Sequence, residues 1–140
     1  MIIGLIDVDS HSHFPSIPLM KLSRWHKEHG DHVEFYTPFS QYDRVYMCKI
    51  FTFTPDYNYA IPNTKEIIKG GTGYDFYSSL PPEIERMQPD YSLYPWIDSR
   101  MAYGKLTSGC PNKCHWCIVP SKEGMIKPYM DIEDLAIENR

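Results

Sequence analysis

The stretch Ile2-Ile3-Gly4-Leu5-Ile6-Asp7-Val8-Asp9-Ser10 decides the fold. Its apolar run is broken only by Gly4 and ends in two acids. A strand with one wet face alternates apolar and polar residues, whereas a continuous apolar run suits a strand buried on both faces, at the centre of a parallel sheet. A loop, Ser10-His11-Ser12-His13-Phe14-Pro15, leads to Ser16, an N-cap residue type, and to a predicted helix from Ile17 to His29. Leu19, Leu22 and His26 share one face of it, flanked by Met20 and Trp25, and Gly30 can close its C-terminus.

Further strands are expected at His32–Thr37, Asp43–Phe51 and Glu66–Lys69, the last running into Gly70-Gly71-Thr72-Gly73. Strand, helix, strand and strand in this order open a doubly wound α/β sheet. Glycines at a strand's C-terminal end let backbone approach a ligand or a neighbouring element, and a plain tight turn explains them equally well. From Asp75 to Asp98 the composition shifts to Pro, Tyr and Ser, with a short helical stretch at Glu83–Met87, and the segment reads as an irregular linker. Tyr74, Tyr77, Tyr91 and Tyr94 are expected to cover the sheet edge. Ala102–Thr107 reads as a new strand, and Asp131 as the cap of a last helix, Ile132 to about Glu138. The expected division is residues 1–100 and 101–140.

The net charge of -4 gives the whole chain no nucleic-acid footprint. Between Arg100 and Pro128, Lys105, Lys113, Lys122 and Lys127 join Arg100 against Glu123 alone; this is a solvated basic face or a surface for an anionic ligand. No apolar run is long enough to span a bilayer, and no membrane partner is expected. The opening residues lack the basic flank of a signal peptide, so a cytoplasmic protein is expected. Cysteines in a reducing compartment read as ligands rather than disulfides. Cys48, inside an apolar strand, reads as a buried structural thiol.

The other three cysteines stand together in Cys110-Pro-Asn-Lys-Cys114-His-Trp-Cys117, a C-x3-C-x2-C spacing. Three thiolates on one loop can hold three irons of a 4Fe-4S cluster and leave the fourth iron without a protein ligand. Small residues Ser108 and Gly109 keep the approach to the loop open, Pro111 stiffens the turn, and Trp116 is placed to shield a cluster from water or to pack as an ordinary core residue. The competing reading is a non-catalytic zinc or interaction module, in which His115, His11 or a partner completes the ligand set. No paired carboxylates, serine triad or phosphate-binding loop supports a hydrolase or nucleoside triphosphatase.

This cysteine spacing, with Trp116 just before the last thiol, resembles the signature of the radical S-adenosylmethionine (SAM) superfamily. The front of the chain resembles the cobalamin (B12)-binding-like domain that precedes the radical SAM barrel in many bacterial enzymes. More narrowly it is similar to a bacterial and phage group in which Gly4-Leu-Ile-Asp7-Val-Asp9-Ser10 is followed by Phe14-Pro15, Leu19-Met20-Lys21 and Phe51-Thr-Phe-Thr-Pro55-Asp56-Tyr57. The resemblance implies a Rossmann-like, flavodoxin- or cobalamin-binding-like sheet, then the first strand, cluster loop and part of the first helix of a partial (β/α) barrel. It implies Cys110, Cys114 and Cys117 as iron ligands, Trp116 at the cofactor, SAM on the open iron, and a flavodoxin- or ferredoxin-type electron donor. It names no catalytic residue and no substrate. Methionine-synthase-type domains carry D-x-H-x-x-G; here Asp9 and His11 match while Phe14 replaces the glycine, which argues against cobalt bound through His11. So little follows Ala102 that a truncated or excised barrel is expected. Cys117-Ile-Val-Pro-Ser-Lys-Glu-Gly124 is also similar to the methylthiotransferases, whose second cluster needs further N-terminal cysteines where this chain has only Cys48.

Overall fold

The computed structural model describes residues 1–135. The chain forms two compact units, Met1–Trp96 and a second that begins at Ile97.

The first unit is built on β1 (Ile2–Asp7), α1 (Ile17–Glu28), β2 (His32–Phe35), β3 (Arg44–Cys48) and β4 (Ile67–Gly70). All four strands are parallel, in the order β2-β1-β3-β4, so the strand predicted to be central is flanked on both sides. Register follows from the apolar pattern: Leu5 lies level with Phe35 on one side and with Tyr46 on the other. Ile3, Leu5 and Val45 are at most 1% exposed, each burial contributing about 1.5–3 kcal/mol.

One face of this sheet packs on α1. Leu19, Met20, Leu22, Ser23 and His26 form the buried side of the helix. His26 is wholly buried, with Nδ1 2.6 Å from Asp31 Oδ2 and Nε2 3.0 Å from the Tyr46 hydroxyl, so each ring nitrogen has a partner where an orphan would be costly. Gly30, at φ 81°, ends the helix as expected: its N–H bonds to the Lys27 carbonyl and that of Asp31 to the His26 carbonyl, a Schellman closure.

Among the described residues no helix packs on the other face, contrary to the doubly wound expectation. Ile6, Val45 and Met47 pack there with Tyr42, Val8, Tyr36, Tyr57, Ile61 and Tyr74, all from strands or connecting segments. Gly4 makes this possible, because a Cβ there would stand 3.0 Å from the Tyr42 ring. The connection from β2 to β3 is too short for a helix, so aromatic side chains supply the apolar cover that a helix face would have given.

β3 ends at Cys48 rather than at Phe51, because the Ile50 N–H donates to Asp9 Oδ2 at 2.6 Å and leaves the ladder. The stretch read as a linker carries α2 (Pro82–Glu85) and a 3-10 turn, Tyr91–Leu93, both packed on α1, with Ile84, Leu93 and Tyr94 buried. Of the four tyrosines expected at the sheet edge, Tyr94 is buried and bonds the end of β1, whereas Tyr77 is 65% exposed.

In the second unit the strand expected at Ala102–Thr107 contracts to β5 (Thr107–Ser108), paired antiparallel with β6 (Lys127–Pro128). Between them lies the short helix α3 (Val119–Lys122). Where a last helix from Ile132 to about Glu138 is expected, the described residues form a 3-10 turn, Ile132–Leu135, and the rest of the expected span lies outside the described residues. Among the described residues no helix is long and apolar enough to cross a membrane.

Candidate metal centre

The cysteine loop is closed at its base by backbone and by one carboxylate. The Cys110 N–H donates to the Gly124 carbonyl at 3.2 Å, and the Tyr129 N–H to that of Leu106 at 2.9 Å, extending the β5–β6 pairing. Glu123 Oε2 accepts the Gly109 N–H at 2.9 Å and the Ser108 hydroxyl at 3.0 Å, and Oε1 lies 3.3 Å from Lys105 Nζ. The Gly109 N–H, then Ser108 and Lys105, hold the Glu123 carboxyl below its ordinary pKa. Gly109 has φ 83°, and a Cβ there would stand 2.3 Å from the Met125 carbonyl oxygen, so the turn entering the loop requires glycine.

Within this frame a cavity of about 280 Å³ is lined by Cys110, Lys113, Cys114, Pro120, Gly124 and Met125. Two of the three predicted ligands are thus brought to one wall. Cys110 and Cys114 are partly buried, while Cys117 is exposed and not on that wall; its N–H donates to the Cys114 carbonyl at 3.1 Å. Trp116 is 78% exposed and stands edge-on to His115, with ring centroids 4.6 Å apart. Among the described residues no group of three or more His, Cys, Asp or Glu side chains is assembled for a metal ion.

The donor chemistry fits an iron–sulfur group in kind, three thiols close in sequence, and the cavity has room for several atoms rather than one. The fit is strongest at Cys110 and Cys114. Glu123 and Met125 were missed as parts of this site. Glu123 had a signal, being the lone acid in a basic stretch; Met125 had none, since nothing local distinguishes it from a packing residue.

In the first unit the strand order reverses between β1 and β3, where loops of an α/β sheet part to admit ligands. That end is closed by its own side chains. Asp9 is buried and bonds the Ile50 N–H and the Thr54 hydroxyl. Asp7 Oδ2 accepts the Tyr94 hydroxyl at 2.6 Å and Oδ1 the Asp9 N–H at 3.2 Å. Burial raises the Asp7 carboxyl pKa, opposed by the Tyr94 bond. His11 and His13 are exposed, and Phe14 is 67% exposed. Cys48 is the expected buried thiol, 4% exposed and pushed up to about 11 by burial.

Comparison with protein-family models, with curated proteins and with solved structures finds no match for this chain.

Proposed function

We propose that the chain is an iron–sulfur protein of radical SAM type, in which Cys110, Cys114 and Cys117 bind three irons of a 4Fe-4S cluster. The observation that carries this reading is the cavity walled by Cys110 and Cys114 with Lys113 beside them. Each thiol loses its proton on binding iron, and the Lys113 ammonium offsets part of the negative charge that accumulates. Glu123, Gly109 and the β5–β6 pair keep the loop base closed, which holds Cys110 and Cys114 on one wall, while Cys117 has to turn inward to complete the ligand set. A bound cluster of this kind supplies an electron and an iron with a free coordination position, the chemistry that splits SAM into methionine and a 5'-deoxyadenosyl radical. A flavodoxin- or ferredoxin-type donor provides that electron.

The first unit is read as a flavodoxin- or cobalamin-binding-like domain, supported by the order β2-β1-β3-β4, which opens the flavodoxin-like series. Cobalt binding through His11 is not part of the proposal, because Phe14 stands where that motif has glycine and Asp9 of the motif is already bonded by the Ile50 N–H and the Thr54 hydroxyl.

The test is electron paramagnetic resonance of anaerobically reconstituted, dithionite-reduced protein, with and without SAM, alongside Cys114→Ala. A reduced-cluster signal that shifts with SAM and vanishes in the variant is expected. A signal indifferent to SAM would reduce the reading to a cluster-binding loop, and zinc in place of iron after anaerobic purification would replace it with the zinc module.

A further inference from the structure

The glycines that follow β4 close on a lysine at the end of β3. A Cβ on Gly71 would stand 2.3 Å from the Lys49 carbonyl oxygen, and one on Gly73 2.5 Å from Lys49 Cγ. The Lys49 N–H donates to the Gly70 carbonyl at 3.1 Å, and its own carbonyl accepts the Gly73 N–H at 2.8 Å. Lys49 is thereby held in place and is only 8% exposed. Among the described residues no hydrogen bond or ion pair reaches its ammonium, which lies 5.5 Å from the centre of the Tyr74 ring. Lys69 Nζ stands 5.1 Å from the same centre. Lys69 is level with Met47 in the parallel register and Lys49 is two residues beyond Met47, so strand alternation sends both to the face on which Met47 and Tyr74 pack.

We propose that Lys49 and Lys69 bind the phosphate group of a ligand at the carboxyl ends of β3 and β4. An ammonium carries three N–H donors, and leaving them unmade in a buried residue is costly. The Tyr74 ring attracts the charge without offering an oxygen acceptor. Asp56 is already engaged: Oδ1 accepts the Tyr74 hydroxyl at 2.5 Å and the Tyr57 N–H at 2.8 Å, and Oδ2 lies 3.8 Å from Lys69 Nζ. Its single charge offsets only one of the two ammoniums, so an anion is attracted. Two separate ammoniums suit a tetrahedral oxyanion, whose oxygens point several ways, whereas a planar carboxylate is matched by the fork of one arginine. Open α/β sheets take their ligands outside the carboxyl ends of the strands, where both lysines stand. The chain leaving Lys49 also carries Phe51 and Phe53, stacked with ring centroids 5.2 Å apart, and Phe53 is 79% exposed. That open ring is a surface on which the base of a nucleotide can stack. The site lies within the first unit and does not depend on the iron–sulfur reading.

The experiment is calorimetric titration of the full chain with inorganic phosphate, with adenosine monophosphate and with adenosine. Phosphate and the monophosphate should bind, and adenosine should bind more weakly than the monophosphate. Lys49→Met, which keeps the packed stem and removes the ammonium, and Lys69→Met should each weaken phosphate binding by at least about tenfold, the scale of one charge-assisted hydrogen bond. Asp56→Asn should tighten it by up to about fivefold, the scale of an exposed charge pair. A monophosphate that binds more tightly than phosphate, with the gain lost in Phe53→Ala, makes the ligand a nucleotide. Equal affinity for the two, unmoved by Phe53→Ala, makes it the free oxyanion. Absence of binding by both phosphate and the monophosphate would overturn the proposal. So would unchanged affinity in Lys69→Met, or an equal loss in Lys65→Met at the other end of β4. Lys69 is exposed, so its variant decides the matter even where Lys49→Met misfolds.

Discussion

The carboxylate of Glu123 accepts the backbone N–H of Gly109 at 2.9 Å, closing the base of the cysteine loop from the far side of α3. The same carboxylate reaches Ser108 and Lys105, so one side chain holds the residues that lead into Cys110. Since those bonds need the ionised form, the folded pKa of Glu123 lies below its ordinary 4.5. A depressed acid contributes stability that is complete above its unfolded pKa and lost as pH falls through the folded one. Amide exchange across the second unit should stay protected at neutral pH and loosen only below 4.5. Glu123→Gln should open the loop at neutral pH, at a cost of about 1 kcal/mol for this partly exposed group.

The two glycines with positive φ at the loop base should respond differently to alanine. Gly124, at φ 78°, has open space where a Cβ would go, so Gly124→Ala carries only the left-handed backbone cost, about 1–2 kcal/mol. Gly109→Ala adds an overlap with the Met125 carbonyl that backbone must move to relieve. Limited proteolysis between Thr107 and Met130 should be much faster in the Gly109 variant than in the Gly124 variant.

Tyr94 bonds both the Asp7 carboxylate and the Ser16 N–H, at 2.6 and 3.2 Å. Tyr94→Phe leaves both without that partner and should cost about 1–3 kcal/mol in urea unfolding. Burial raises the Asp7 pKa above its ordinary 3.8. Such an acid favours the fold when protonated, and that contribution is present below the unfolded pKa and lost as pH rises through the folded one. The Tyr94 hydroxyl stabilises the ionised form, so its loss should cost more at neutral pH than in acid below 3.8.

Thiol reactivity should separate Cys48 from the loop cysteines. Cys48 is 4% exposed and pushed up to about 11, whereas Cys110 and Cys114 are partly buried and Cys117 is exposed. In the folded metal-free chain a thiol reagent should label the three loop cysteines promptly and Cys48 only after unfolding.

The central strand, the amphipathic helix after it, the Gly30 closure and the buried state of Cys48 were legible in the sequence, because each depends on neighbours a few residues away. A continuous apolar run specifies burial on both faces, and a Gly after a helical pattern specifies a left-handed stop. The motif likewise located the thiols, since C-x3-C-x2-C is a local spacing. Tertiary structure alone decided which strands flank β1, that tyrosines rather than helices cover the second face, and that the Pro- and Tyr-rich stretch packs on α1. It also decided that only Thr107 of the expected Ala102–Thr107 strand, joined by Ser108, enters a strand, paired antiparallel with Lys127–Pro128. The physical reason is the same in each case. Side chains such as Tyr42, Tyr94, Glu123 and Met125 take their roles from partners distant in the chain, and no periodicity encodes which partner folding brings to them.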